Sequence, residues 1–178
     1  SNCMAAQQVS VGTVNNTVVV YWDTTGVTAS PEISSYITCG VQPLEDVWYA
    51  VTAVNTGKLV LDTCHPNTTF DTSLHVLSCC GITCSSVASC NNNFDSYCGT
   101  KARMASISVS AGQTVYVRVS GYSVGQVGSF GLIIRFTNGA ITNCAEAAGT
   151  VYSVGSANET VFTANNQQVI PSPESNIG

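Results

Sequence analysis

Large apolar residues recur at every second position through most of this chain, and that period of two limits what it can fold into. The pattern is clearest over residues 47–53, 59–61, 107–109, 115–119 and 130–136. These positions lie within runs of about five to eight residues that are bounded by Gly, Asn or Ser, which is typical of strands joined by turns. Helical spacing is almost absent. We therefore predict an all-β fold, an antiparallel β-sandwich or jelly-roll-like domain.

Nine cysteines among 178 residues predict that this sandwich is stapled by disulfides. No pair has Cys-x-x-Cys spacing and only two histidines are present, so structural zinc is disfavoured. Disulfides form in oxidising compartments, so we expect a secreted, extracellular or cell-surface protein. Eight cysteines are expected to pair within residues 1–143: Cys3, Cys39, Cys64, Cys79, Cys80, Cys84, Cys90 and Cys98. Strand order favours Cys3–Cys39, Cys64–Cys98, Cys79–Cys90 and Cys80–Cys84, with other connectivities open and residues 79–100 forming a stapled loop.

The charge content excludes two classes of partner. The chain contains five Lys and Arg residues and ten Asp and Glu residues, and charged residues make up 8% of it. A net charge of −5 lacks the basic footprint that nucleic acids require, and it gives no polybasic contact for a membrane. The long uncharged runs are rich in Ser, Cys and Asn, so no membrane-inserted helix is expected.

An internal repeat defines the domain organisation. Residues 11–18 match residues 154–161 at five of eight positions, and Cys144 with Ala147 repeats the spacing of Cys3 with Ala6. We predict a complete unit over 1–143 and, over 144–178, a β-strand extension that resembles the first strands of a second unit and packs on a neighbouring copy. The equivalent of Cys39 would fall near or past the end of this sequence. Cys144 is therefore expected to pair with a following repeat or another chain.

Five motifs in order carry a family resemblance: Cys3-x-x-Ala6, Asp46–Tyr49, Phe70–Leu74, Ala111–Val119 and the segment 121–132. Over residues 3–137 the chain resembles the bacterial pre-peptidase C-terminal (PPC-like) domain family. The resemblance implies a β-sandwich of about this size that is not itself catalytic. Such domains are appended to secreted proteases or repeated in large surface proteins. The high cysteine count and the incomplete second unit depart from the family pattern.

Catalytic and metal sites were weighed against this expectation. Residues 121–125 read Gly-x-Ser-x-Gly, but they lie between two alternating runs with no helix pattern after them, so we interpret them as a hairpin loop. His75 and Asp71 fall on one face of a strand without a nucleophile tied to them. We expect no enzyme activity and no cofactor. Calcium remains the alternative, with oxygen ligands drawn from Asp62, Asp71, Asn91, Asn92, Asn93 and Asp95.

Three Asn-x-Ser/Thr sequons make Asn15, Asn67 and Asn158 candidates for N-glycosylation. Asn15 and Asn158 occupy the same position of the repeat. Glycans would hydrate a surface that has few charges.

Two function hypotheses follow. In the first, the chain is a structural subunit that assembles head-to-tail with copies of itself, or with a following repeat, into a filament or surface appendage by β-strand complementation. In the alternative, it is a carbohydrate- or matrix-binding module of a larger secreted protein or protease. Sugar stacking would then use exposed aromatic residues, drawn from Tyr21, Trp22, Tyr36, Trp48, Tyr97, Tyr116 and Tyr122.

Overall fold

The structure is a computed structural model that describes residues 2–13, 17–30, 45–80, 86–91 and 98–138, with the backbone alone for 86–91. The chain divides into two units, Ser1–Thr142 and Asn143–Gly178. All described residues belong to the first unit. The predicted strand extension, residues 144–178, lies outside them.

A 3-10 turn at Cys3–Ala5 precedes the strands, and the turns between strands coincide with the Gly-, Asn- and Ser-rich breaks in the alternation. The described strands are β1 Gln7–Val11, β2 Thr17–Asp23, β3 Asp46–Ala53, β4 Gly57–Asp62, β5 Thr72–Leu77, β6 Ser86–Asn91, β7 Arg103–Val109, β8 Thr114–Gly121 and β9 Ser129–Thr137. β6 lies inside residues 79–100, so the prediction of a loop throughout that segment is wrong.

The strands form two sheets that pack face to face. One has five strands in the order β1-β3-β8-β5-β6, and the other has four in the order β2-β9-β4-β7. All pairings are antiparallel except that of β1, which runs parallel to β3. The predicted all-β sandwich is confirmed, with one parallel edge strand that the sequence did not indicate.

Because side chains alternate between the two faces of a strand, every second side chain of each strand points into the space between the sheets. Val47, Tyr49 and Val51 of β3 are buried there against β9, and the rings of Tyr49 and Phe130 meet edge to face with centroids 6.3 Å apart. Phe70 meets the other side of Phe130 in the same way at 6.4 Å. Burial of these apolar rows drives the packing of the two sheets.

The outer face of the five-stranded sheet is also covered. Trp48 of β3, Arg118 of β8 and His75 of β5 lie side by side in register on that face, and all three are buried. Trp48 packs with Cys3 and Ala6, next to Tyr116. β3 is thus buried on both faces, in keeping with the unbroken apolar run from Val47 to Val51.

Two disulfides are described within the first unit. Cys64–Cys98 agrees with the sequence prediction, with its Cα atoms 5.4 Å apart. Cys3 pairs with Cys80, with Cα atoms 5.5 Å apart, so the predicted Cys3–Cys39 and Cys80–Cys84 bonds are wrong. The prediction paired cysteines by their order in the sequence. In the structure the start of the chain lies on the outer face of the five-stranded sheet, next to the segment that follows β5, so Cys3 contacts Cys80.

The remaining cysteine predictions are tested only in part. Cys79 is also disulfide-bonded. The side chains of Cys39, Cys84 and Cys90 lie outside the described set, so complete pairing of the eight cysteines stays a prediction. The Cys3–Cys80 bond spans 77 residues. The equivalent partner of Cys144 would therefore fall well beyond residue 178, rather than near it.

Candidate functional site

The edges of the two sheets differ in how they are protected against pairing with another strand. The pairing of β7 with β4 shifts register between Leu59 and Leu61, and Ser106 of β7 has a φ of 64°, which marks a β-bulge. The pairing of β6 with β5 shifts register twice. β1 is only five residues long. Bulges and short edge strands are the devices by which proteins discourage edge-to-edge association.

β2 carries none of these devices. It pairs with β9 over seven consecutive residues without a shift, and among the described strands it pairs with β9 alone. Its sequence, Thr-Val-Val-Val-Tyr-Trp-Asp, contains no Pro, Gly, Lys or Arg. A regular, apolar edge strand of this length is suited to accept a further strand.

The inner side of β2 is incompletely covered. Trp22 lies opposite Phe130, so both side chains project toward the inside of the sandwich. Phe130 is 1% exposed, whereas Trp22 is 47% exposed. Val18 and Val20, on the same row, pack on the core but stay only partly buried. Among the described strands, none covers the outer edge of β2, so the sandwich they form is open there; we call this the β2 edge.

The two sides of the sandwich also differ in how well the core is covered. β6 and β7, the last strands of the two sheets, lie next to each other and close one side of the sandwich. β1 and β2 are the last strands at the opposite side. Val9 of β1 is packed on the core there but is also only partly buried. The open side is thus flanked by one edge strand from each sheet.

The end of β2 is tied to its neighbour by Asp23. This carboxylate accepts a hydrogen bond from the backbone N–H of Thr25 and another from the hydroxyl of Ser129, each at 2.7 Å. Hydrogen bonds from Thr25 and Ser129 hold the pKa of Asp23 below its ordinary value. The only charge on β2 therefore sits at its end and is already engaged.

Tyr21 forms a second feature on the opposite, outer face of β2. Its register partner on β9 is Gly131, and the ring of His65 lies over that glycine. A Cβ at residue 131 would lie 2.7 Å from Cγ of His65. The rings of Tyr21 and His65 meet nearly at right angles, with centroids 5.0 Å apart. Tyr21 is held in place while 53% of it stays exposed.

The hydrogen bonds of His65 define its tautomer. Its Nδ1 accepts the backbone N–H of Asn67 at 3.1 Å. In the neutral imidazole the proton is then on Nε2, which donates to the hydroxyl oxygen of Tyr21 at 3.2 Å. One imidazole ring thus links the Tyr21 side chain to the turn that carries Asn67.

That turn presents Asn67 to solvent. The N–H of Thr68 donates to the carbonyl of His65 at 2.9 Å, closing a β-turn with Pro66 in its second position. The hydroxyl of Thr68 accepts the N–H of Gly131 at 3.2 Å, and the N–H of Thr69 donates to Ser129 at 3.0 Å. Asn67 is exposed at the tip of this anchored turn.

A buried polar network lies on the outer face of the five-stranded sheet. Arg118 Nε donates to one oxygen of Asp46 at 2.6 Å, and the hydroxyl of Ser30 donates to the other at 2.7 Å. Trp48 Nε1 donates to Ser30 at 2.7 Å. Burial lowers the pKa of Arg118, and the adjacent Asp46 opposes that shift. Because Asp46 and Arg118 are fully buried, we interpret the network as structural.

The catalytic candidates of the sequence are not brought together. Residues 121–125 comprise the last residue of β8 and the start of its connection to β9, where the N–H of Gln126 donates to the carbonyl of Ser123 at 3.1 Å. This is a strand–turn–strand connection and not the strand-to-helix turn of a nucleophile elbow. His75 lies on β5, opposite Arg118 of β8, while Asp71 immediately precedes β5. Burial raises the pKa of Asp71.

The calcium candidates are only partly described. Asp62 forms an ion pair with Arg135, which uses one of its oxygens. Over the described ranges, no group of three or more His, Cys, Asp or Glu side chains is placed to hold a metal ion. Asn92, Asn93 and Asp95 lie outside those ranges, and of Asn91 only the backbone is described, so calcium binding stays untested.

Three of the predicted site residues, Asn15, Asn158 and Cys144, also lie outside the described part of the chain. No helix within that part is long and apolar enough to span a membrane.

Sequence reasoning named Tyr21 and Trp22 only among seven aromatic residues, and it missed both His65 and the β2 edge. The one signal for the edge is the unbroken run of β-forming residues in β2. Comparison of the chain with models of known protein families finds no match, and no curated protein matches it.

Proposed function

We propose that the chain is a non-catalytic extracellular structural subunit that assembles head-to-tail by β-strand complementation. In this proposal the β2 edge of one copy accepts a strand from residues 144–178 of the next. The single observation that carries it is Trp22, an inward-facing aromatic residue that is half exposed because no described strand lies beyond β2. An added strand would cover Trp22 and pair the open backbone edge.

The repeat supports residues 144–178 as the donor. It aligns residues 150–154 with β1 and residues 160–166 with β2. β1 and β2 belong to different sheets and do not pair with each other. A segment with the same two strands would not satisfy its own backbone hydrogen bonds as a hairpin, so it needs the strands of another copy or of a following repeat.

The environment and composition agree with this role. The disulfide bonds indicate an oxidising, extracellular-type setting. A head-to-tail contact between different surfaces does not close on itself, so it produces a filament. The resemblance to PPC-like domains adds a family of non-catalytic secreted sandwiches. Replacing Ser123 by Ala should accordingly leave the chain unchanged in every assay, including peptidase and esterase turnover.

The test separates donor from acceptor. Deleting residues 144–178 removes the donor, and Trp22→Lys places a charge on the acceptor edge. Val124→Lys is the matched control, because Val124 is an exposed apolar residue in the β8–β9 connection and is not part of β2. Oligomers are measured by sedimentation and negative-stain microscopy, and folding by thermal unfolding.

We expect filaments from the natural chain and from the control variant. Each of the other two variants should be folded and monomeric. Mixed together, they should form heterodimers only, because the deletion variant keeps the acceptor and Trp22→Lys keeps the donor. Unfolding of residues 1–143 in the deletion variant would mean that the segment belongs to its own core, and the proposal would be wrong.

The binding-module alternative makes the opposite forecast. Of its seven aromatic candidates, Trp48 is buried, while Tyr21, Trp22 and Tyr122 are each 40% exposed or more. A natural chain that stays monomeric and is retarded by polysaccharide in affinity electrophoresis would replace the structural role with this one.

A further inference from the structure

We propose that Asn67 carries an N-linked glycan whose first sugar packs on the exposed ring of Tyr21. This inference is independent of the assembly role, because it concerns the outer face of β2 and not its edge. Of the three sequons, Asn67 is the one whose surroundings are described, and those surroundings form a built site.

The acceptor group is presented in an accessible way. Asn67 is exposed at the tip of the Pro66 turn, and its side-chain amide makes no hydrogen bond within the described part of the chain. The turn is anchored at its base by the Cys64–Cys98 bond and at its far end by Thr69, whose hydroxyl donates to the carbonyl of Ser129 at 3.2 Å. The sequon therefore lies on a fixed support.

Attachment of the glycan transfers a glycosyl group from a donor to the Asn67 side chain. The Asn67 side-chain nitrogen attacks C1 of a sugar carried on a polyprenyl diphosphate. The C1–oxygen bond to the diphosphate breaks as the nitrogen–C1 bond forms. The nitrogen loses one proton, and the polyprenyl diphosphate leaves. The host's secretory machinery supplies this donor and the transferase, so the chain contributes only the acceptor.

Tyr21 is linked to the Asn67 turn through His65. Nδ1 of His65 accepts the Asn67 backbone N–H, while Nε2 of the same ring bonds the Tyr21 hydroxyl. The backbone nitrogen of Asn67 and the hydroxyl of Tyr21 are thus separated by the width of one imidazole. His65 meets Tyr21 at a ring edge, which leaves part of the tyrosine exposed. Aromatic rings present an apolar face that suits the C–H groups of a pyranose.

A glycan at Asn67 would help to hydrate the surface of a chain in which only 8% of the residues are charged. A glycan there would hydrate the outer face of β2 and β9. It would stand away from the inward row of Val18, Val20 and Trp22, so the β2 edge stays available to another strand.

Site occupancy is tested by secreting the full chain from an N-glycosylating eukaryotic host. Peptides are mapped after peptide N-glycosidase treatment in ¹⁸O water, which converts a glycosylated Asn67 to labelled Asp. Thr69→Ala should abolish the label at this position. Thr69→Ser keeps both the sequon and a hydroxyl for Ser129, so it should retain the label. An unmodified Asn67 in the natural chain overturns the proposal.

Packing on Tyr21 is tested by the rate of glycan release from the folded protein. Tyr21→Ala should speed release about fivefold, the loss expected for one ring contact. Tyr21→Phe keeps the ring and should leave the rate close to that of the natural chain. After reduction and denaturation all three chains should release the glycan at one rate. Equal rates for folded natural chain and Tyr21→Ala contradict the packing.

Discussion

The buried ion pair between Asp46 and Arg118 allows a sharp prediction about stability. Both side chains are fully buried, and Nε of Arg118 lies 2.6 Å from the Asp46 carboxylate. Ser30 and Trp48 extend the network to the remaining carboxylate oxygen and to the next side chain. Replacing Asp46 by Asn removes the charge while keeping the shape, so the guanidinium stays buried without its counter-charge.

The expected magnitude follows from that burial. Breaking a buried ion pair by removing one partner costs about 3–5 kcal/mol, since the remaining charge is not solvated. Replacing both partners, as in Asp46→Asn with Arg118→Met, should cost much less, about 1 kcal/mol. The first figure is a large share of the roughly 5–15 kcal/mol that stabilises a domain.

The assay is urea unfolding with the disulfides intact, followed by tryptophan fluorescence and circular dichroism. With a slope of about 2 kcal/mol per molar urea, Asp46→Asn should lower the midpoint by about 2 M. Glu45→Gln is the control, because Glu45 is the neighbouring carboxylate without an ion pair in the described structure, and it should change stability by less than about 0.5 kcal/mol. A cost below about 1 kcal/mol for Asp46→Asn, or a double variant as unstable as the sum of the singles, would refute the reasoning.

Three further predictions follow from other buried or engaged groups. The hydroxyl of Tyr49 is buried without a hydrogen-bond partner among the described residues, and burial raises its pKa, so Tyr49→Phe should stabilise the fold by about 1 kcal/mol in thermal unfolding. A Tyr49→Phe protein that melts earlier would contradict this. The pKa of Asp23 lies below its ordinary 3.8 in the folded state, so its stabilisation is present above that value and is lost as the pH falls through the folded pKa. Unfolding of Asp23→Asn should therefore differ from the natural chain at pH 7 and converge with it in acid. Converting both Cys3 and Cys80 to Ser should cost about 2–5 kcal/mol, and mass mapping of the natural chain should find these two cysteines linked and Cys3 never linked to Cys39.

Local periodicity was enough to predict the all-β sandwich and the location of five of the nine described strands. Alternation over 47–53, 115–119 and 130–136 corresponds to β3, β8 and β9, because side chains of a strand point to opposite faces at every step. The Cys64–Cys98 bond was also predicted. These features depend on residues near one another in the chain or on strands of a regular pattern. The PPC-like resemblance, the sequons and the assembly role remain predictions.

Only the tertiary structure determined which residues distant in sequence come into contact and which are buried. Cys3 reaches Cys80, and not Cys39, because the start of the chain lies on the outer face of the five-stranded sheet, beside the segment after β5. Trp22 is as apolar and as strand-like as Trp48, yet one lies at a sheet edge and the other beneath a covered face. Sequence alternation specifies the face to which a side chain points. Burial and pairing depend on which strand lies next to it, and that depends on sheet order and register across the whole domain.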